Sequence, residues 1–167
     1  MKNDNVMGEV FLKELETEAS SSRKCLERIP DPQSTWKPHE KSMPMGYLSV
    51  LVAEIPKWIQ ATVEDGVIDF ATWKHSQPKT TVELAKYFDE NMKGARKALQ
   101  NTSDKQLAEM FYLKNNGQTL ASSRRGDSVA QSINHLVHHR GQLTVYMRLN
   151  NIAVPSIYGP SADERGF

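Results

Sequence analysis

Two histidines on one predicted helix have the spacing best suited to chemistry. His135 and His139 are four residues apart within the segment 134–143, so on an α-helix their side chains lie one turn apart on the same face. Imidazole nitrogens at this spacing can reach a single divalent ion. Zinc and nickel sites need at least one more protein ligand, so the pair indicates either a metal site completed from elsewhere or a polar strip.

The apolar pattern of the same segment predicts how each histidine is placed. At 3.6 residues per turn, His138 falls opposite the apolar residues, His139 borders them and His135 lies one step further round. We expect His138 to face solvent and His135 to join Ser132 and Tyr146 at the edge of a cavity between helices. The apolar residues are Val129, Ile133, Leu136, Val137, Leu143 and Met147.

Four long amphipathic segments would position this pair. Apolar residues recur every three or four positions over about residues 7–28, 42–65, 80–99 and 127–150, which is typical of helices with one buried face. Thr80 and Glu83 have the spacing of a capping box, and Ser42 and Pro44 suit a helix start. Pro56 predicts a kink in the second helix.

The segments between and after these helices are shorter or irregular. Residues 67–79 are expected to form a packed loop, and residues 105–110 a short helix. The stretch from Phe111 to Leu120 contains Asn-Asn-Gly and predicts either a short hairpin or an ordered loop. An irregular tail should follow from Ile152. The whole pattern predicts an all-α four-helix bundle, with residues 1–167 as a single domain.

Composition excludes several classes of protein. The 167 residues carry 21 Lys and Arg against 20 Asp and Glu, and this balanced charge argues against nucleic-acid binding. No stretch approaches the roughly 20 apolar residues of a membrane span. Residues 1–9 lack the apolar core of a secretory signal. The one cysteine, Cys25, is interpreted as a small buried hydrophobe, and its isolation favours a cytoplasmic location.

Several motifs together resemble the DinB family, whose members are DinB/YfiT-like four-helix bundles with a metal site. The resemblance covers about residues 10–163 and implies an up-down-down-up bundle that forms homodimers. The motifs that carry it are residues 134–143 (NHLVHHRGQL), Tyr146-Met147-Arg148, Val154-Pro155, residues 158–163 (YGPSAD), Trp36-Lys37-Pro38-His39, Gly46, Leu48, Ala53-Glu54 and Trp58.

The resemblance also implies a set of metal ligands. In the family, two histidines of the fourth helix bind a divalent metal, here His135 and His139, and a third histidine comes from the second helix. That third position falls on Leu51, which has no donor atom. Glu54, one turn further along, is either a substitute oxygen ligand or a solvated charge. Zinc or nickel is the expected ion.

Other residues near the pair allow two interpretations each. Arg140 could meet an anionic substrate or thiolate, or pair with a carboxylate. Tyr146 could hydrogen-bond into the cavity or pack in the core. His39 is expected to make local loop contacts, and His75 has no supporting neighbours in the sequence. The tryptophans are expected to be packing residues: Trp36, Trp58 and Trp73.

Two functions follow from the resemblance. If the site is active, the chain is a metal-dependent relative of thiol-dependent transferases and binds a low-molecular-weight thiol through its metal. If the site has decayed, the chain is a metal-free stress-response bundle that acts in ligand binding or self-association. The loss of histidine at Leu51 favours the second function, whereas the retained His135 and His139 favour the first.

Overall fold

Four long helices form the framework of the computed structural model. The structure describes residues 4–166, so residues 1–3 and Phe167, at the two ends of the predicted domain, lie outside it. The elements follow in the order α1 (Val6–Leu26), α2 (Met45–Glu64), β1 (Val67–Asp69), α3 (Thr81–Asn101), α4 (Asp104–Leu107), β2 (Met110–Asn115), β3 (Gln118–Arg124) and α5 (Arg125–Leu149).

The helix starts follow the local sequence with small departures. At α3 the Thr80 hydroxyl accepts a hydrogen bond from the Glu83 amide at 3.1 Å, as the predicted capping box requires. The Glu83 carboxylate, however, accepts from the amide of Lys79 at 2.7 Å. Helix α2 begins at Met45 without a side-chain cap, and it continues as one helix through Pro56 to Glu64.

Helix α2 is the central element of the core. It packs against α3 and α5, and α1 packs against the same two helices. Burying one apolar stripe from each helix removes these side chains from water, which is the main favourable contribution to folding. The fully buried large side chains on these stripes include Leu15, Leu48, Ile55, Ile59, Leu84, Phe88, Leu99 and Ile133.

A three-stranded sheet corrects the all-α prediction. Strands β2 and β3 form an antiparallel hairpin, so the hairpin alternative for the Phe111 segment is confirmed. Strand β1 pairs in parallel with β2, with Val67 opposite Tyr112, although residues 67–69 were expected in a loop. Three residues give too little period-2 pattern to be recognised as a strand, and β1 forms because β2 offers it a pairing edge.

The sheet packs on α2 through a small apolar cluster. Ile68 of β1 and Phe111 of β2 bury their side chains against Ala61 of α2, with Trp58 and Trp73 at the border. The short strands therefore cover one side of α2, next to the part of α5 that carries His135. The sheet thus forms part of the surroundings of the predicted site.

The C-terminal segment is irregular, as expected, and ion pairs anchor it to the rest of the chain. Arg148 contacts Asp163 at 2.5 Å, and Arg28 pairs with Glu164. The Glu164 carboxylate also accepts from the amide of Ser156 at 2.9 Å. Within residues 4–166, each helix is too short or too polar to cross a membrane.

Candidate functional site

The two predicted metal ligands meet on α5. The Nε2 atoms of His135 and His139 lie 2.6 Å apart, because residues one turn apart on a helix project side by side. His139 is 8% exposed, at the border of the core. His135 is partly buried, and His138 is exposed as predicted. Helix α5 therefore brings two imidazole nitrogens to one point.

Gln142 fixes the orientation of the His139 ring. Its side-chain oxygen lies 2.7 Å from Nδ1 of His139, and an amide oxygen can only accept, so Nδ1 of His139 carries the proton. In the neutral ring, Nε2 of His139 is then an acceptor, and the 2.6 Å contact requires Nε2 of His135 to donate. An outer hydrogen bond of this type orients a metal-binding histidine.

Both imidazoles are held in the neutral form. Burial, followed by the neighbouring His139 and His138, lowers the pKa of His135 from 6.5 to about 4. Burial also lowers the pKa of His139, although its hydrogen bond to Gln142 opposes the shift. Neutral imidazole is the form that binds metals, so protons do not compete for these nitrogens near neutral pH.

The pair suits an open two-nitrogen metal site. Two nitrogens bound to one tetrahedral zinc ion lie about 3.3 Å apart, so small rotations of the His135 and His139 rings would make room for an ion. The chemistry of the donors, two neutral imidazoles, matches zinc or nickel. Across residues 4–166, however, no three His, Cys, Asp or Glu residues are grouped so that they could hold a metal together.

A cavity lies beside His135. Its volume is about 230 Å³, and its lining includes Trp58 and Thr62 of α2, Phe111 of β2 and His135 itself. The Trp58 and His135 rings meet edge to face, with centroids 5.7 Å apart. Ser132 lines this cavity with His135 as predicted, but Tyr146, the third residue of the predicted edge, lies in the buried core instead, and the sheet, which was not predicted, forms one wall.

Glu54 is a buried carboxylate rather than the solvated charge considered above. It is 1% exposed. Its Oε1 accepts from the indole N–H groups of Trp58 at 3.2 Å and Trp73 at 2.8 Å, and its Oε2 accepts from the Tyr87 hydroxyl at 2.9 Å. Nδ1 of His75 lies 2.9 Å from Oε1. Four side chains thus form hydrogen bonds to the buried Glu54 carboxylate.

These four contacts correct two expectations from the sequence. His75 does have a partner, Glu54, and Trp58 and Trp73 supply hydrogen bonds as well as packing. One sequence signal was available: Glu54 is the one charged residue between Met45 and Pro56 of α2, and a carboxylate buried there needs partners because an unpaired one is too costly to bury. Trp58 is one turn further along the same helix, but the other three partners, Trp73, His75 and Tyr87, come from segments whose position the sequence pattern does not show.

Leu51 faces a second cavity. It lines a space of about 360 Å³ together with Glu54 and His75. His135 belongs to the lining of the other cavity, beside the sheet. Trp58 connects the two regions, because its N–H group bonds Glu54 while its ring contacts His135.

Arg140 belongs to an ion pair with a carboxylate. The residue is 1% exposed. Nη2 lies 2.6 Å from Oε2 of Glu18 on α1 and 2.7 Å from the Tyr158 hydroxyl. Because these groups occupy the guanidinium, the structure assigns Arg140 to holding α1 and the C-terminal segment on α5.

Tyr146 packs in the core. Its ring meets Trp36 edge to face, with centroids 5.6 Å apart. The side-chain amide of Asn150 donates to the backbone carbonyl of Tyr146 at 2.8 Å. His39 makes the expected local contact, accepting from the amide of Lys41 at 3.2 Å.

Comparison with solved structures finds the same fold in two DinB-like proteins. The Bacillus subtilis protein YjoA has a TM-score of 0.68 and 17% identity, covering 93% of this chain and 99% of its own. A protein from Bacillus cereus ATCC 10987 has a TM-score of 0.67 and 22% identity, covering 90% and 97%. At these identities the likeness shows the fold alone.

Comparison of sequences gives a short match and a long one. The uncharacterized protein YrdA of Bacillus subtilis strain 168 is 56% identical over 32 residues, which span only 19% of this chain and 19% of YrdA. The family model described as "DinB family" matches residues 1–165. A match over nearly the whole length, together with the fold, means that this chain belongs to the DinB family.

Proposed function

We propose that this chain binds a divalent metal, zinc or nickel, through Nε2 of His135 and His139. The observation that carries the proposal is the convergence of the two Nε2 atoms, 2.6 Å apart, with Nδ1 of His139 bonded to Gln142. The lowered pKa values of both rings keep the donors neutral. Two imidazoles are one ligand fewer than the three of a typical catalytic zinc site, so water or a bound thiol would have to fill the remaining positions of the ion.

The residues of this chain have defined tasks in such a site. Gln142 holds the His139 ring so that its Nε2 lone pair points toward His135. His135 would move its ring proton from Nε2 to Nδ1, which frees Nε2 without a net loss of a proton. A bound divalent ion would lower the pKa of a low-molecular-weight thiol, the reagent of a thiol-transferase-like activity.

A second function is favoured by a different observation. Leu51 replaces the expected histidine, and the part of the chain from residue 4 to 166 offers no grouped set of three metal ligands. In this alternative the chain is a metal-free bundle that acts in ligand binding or self-association during stress, with a homodimer as its expected state. The His135–His139 contact would then be a hydrogen bond inside the protein.

Calorimetric titration of the untagged protein with zinc and with nickel separates the two functions. We expect one ion per chain, and at least about 10-fold weaker binding after His135→Ala or His139→Ala. His138→Ala is the matched control, because His138 lies on the same helix but is exposed.

The outcomes are distinct. Binding that His135→Ala and His139→Ala weaken while His138→Ala does not would support the metal site and justify assays of thiol transfer. Absence of saturable zinc or nickel binding in the unmodified chain, or equal loss in all three variants, would refute it. If the unmodified chain binds neither metal, a mass of two chains measured by analytical ultracentrifugation would support the self-associating alternative.

A further inference from the structure

A second group of polar side chains is centred on Glu54 and touches the histidine pair only through the Trp58 ring, among the contacts described above. Indole N–H groups can only donate, so Trp58 and Trp73 both donate to the Glu54 carboxylate. Nδ1 of His75 lies 2.9 Å from Oε1 and 3.2 Å from Oε2. Because a carboxylate with these donors is an acceptor, Nδ1 of His75 must carry its proton toward Glu54.

This contact determines what His75 can do. With the proton on Nδ1, Nε2 of the neutral ring is a hydrogen-bond acceptor. The His75 side chain is 51% exposed, and within residues 4–166 its hydrogen bonds all run from Nδ1 to Glu54. A carboxylate that orients an imidazole through Nδ1 and leaves Nε2 free is the arrangement by which a histidine is presented to a ligand.

The loop that carries His75 is fixed on α2. The Lys57 ammonium donates to the carbonyl of Lys74 at 2.7 Å and lies 4.4 Å from the centre of the Trp73 ring. Trp73 is also bonded to Glu54 at 2.8 Å. The residues on the N-terminal side of His75 are therefore held in place, and the histidine is preorganised rather than free to reorient.

His75 and Glu54 line the cavity of about 360 Å³. Its size is at the small end of ligand sites, and its walls are mainly apolar with a few polar groups, as is usual for small-molecule sites. Pro32, one of the lining residues, packs closely against Gly46, where an added Cβ would lie 2.4 Å from the Pro32 carbonyl oxygen. The apolar lining residues are Pro32, Tyr47, Val50, Leu51 and Pro78.

We infer that this cavity binds a small, mainly apolar alcohol or phenol, whose O–H group donates to Nε2 of His75. The apolar walls select the body of the ligand, and the neutral ring accepts one proton donor. The Glu54 carboxylate behind the ring makes an anionic ligand unfavourable and a neutral donor favourable. This site does not depend on a metal at His135 and His139.

Nuclear magnetic resonance of the metal-free protein tests the proposal with p-cresol as the probe and 4-methylanisole as its matched analogue. The two molecules have the same ring, but the methyl ether has no proton to donate. We expect p-cresol to bind saturably and to shift the Nε2 signal of His75. The ether should bind up to about tenfold more weakly, since it leaves one hydrogen bond unmade.

Variants separate the hydrogen bond from the cavity. His75→Phe should make the two affinities equal, and Leu51→Trp should fill the cavity and abolish binding of both probes. His39→Phe, in an exposed loop, and His138→Ala, exposed on α5, should leave p-cresol binding unchanged. Equal affinities in the unmodified protein, absence of saturable binding, or binding that survives Leu51→Trp would overturn the proposal while leaving the metal proposal intact.

Discussion

Arg140 and Glu18 form a buried ion pair that joins α5 to α1, with Nη2 and Oε2 2.6 Å apart. The Tyr158 hydroxyl bonds both partners, at 2.7 Å from each. A second guanidinium nitrogen of Arg140 donates to the Glu18 carbonyl at 3.1 Å. This contact therefore holds α1, α5 and the C-terminal segment together, and the arginine that follows His139 has a stabilising role.

The ion pair leads to a prediction about stability. Arg140→Met should lower the free energy of unfolding by about 3–5 kcal/mol, because it leaves the Glu18 carboxylate buried without its cation. The double variant Arg140→Met with Glu18→Leu should recover part of this loss, since it removes both charges. Urea denaturation followed by circular dichroism measures each difference.

The matched control is the exposed ion pair of the same helix. Arg148 contacts Asp163 at 2.5 Å but is about half exposed, so Arg148→Met should cost about 1 kcal/mol or less. If Arg140→Met is no more destabilising than Arg148→Met, the buried pair does not join the segments as described.

The long helices could be predicted from the sequence because each has an apolar stripe with its own local period. The stripe of α5 placed His138 in solvent and His139 at the core border, and both placements are confirmed. The contact between His135 and His139 follows from helix geometry alone. These features depend on residues within one or two turns of each other.

The features that could not be predicted depend on distant segments. Strand β1 exists because β2 pairs with it, across more than forty residues of sequence. Three of the four donors to Glu54 come from the loop after β1 and from Tyr87 on α3. The sequence pattern contains no information on such encounters, because period and spacing describe only one element at a time.

The hairpin turn gives a second prediction, tested by a pair of glycines. Gly117 has a φ of +77° and no neighbour within 4 Å of an added Cβ, so Gly117→Ala should lower stability through backbone strain alone, by about 1 kcal/mol. Gly141 lies inside α5 with equally open space. Gly141→Ala should therefore raise stability by up to about 1 kcal/mol. Thermal unfolding of both variants distinguishes the effects, and changes of the same sign would contradict this account.

The single cysteine gives a third prediction. Cys25 is 0% exposed, and burial raises the pKa of its thiol from 9.0 to about 11. Since the thiolate is the reactive form, the folded protein should react with a disulfide reagent at pH 8 at least about 100-fold more slowly than the urea-unfolded chain. The absorbance of the released thiolate measures both rates. Rapid reaction of the folded protein would show that Cys25 is accessible.

The raised pKa of Cys25 also determines how stability depends on alkaline pH. Between pH 9 and pH 11 the unfolded chain loses the Cys25 proton while the folded chain keeps it, so stability should fall as the pH rises through this window. Cys25→Ala should make this fall shallower. Urea midpoints at pH 8.5 and pH 10 provide the comparison, and an unchanged difference in the variant would show that other groups cause it.

His135 should make the metal-free protein less stable in mild acid. Its pKa is lowered from 6.5 to about 4 by burial and by the nearby His139 and His138, so below pH 6.5 the unfolded chain binds a proton that the folded chain does not. The free energy of unfolding should then decrease as the pH falls from 6.5 toward 4. The decrease is at most about 1.4 kcal/mol per pH unit for one proton, and partial exposure of the ring makes it smaller.

His135→Gln should flatten this dependence in urea titrations with a chelator present. His39→Gln, in an exposed loop, should not, and equal slopes in all three proteins would mean that His135 is as readily protonated in the folded state as in the unfolded chain.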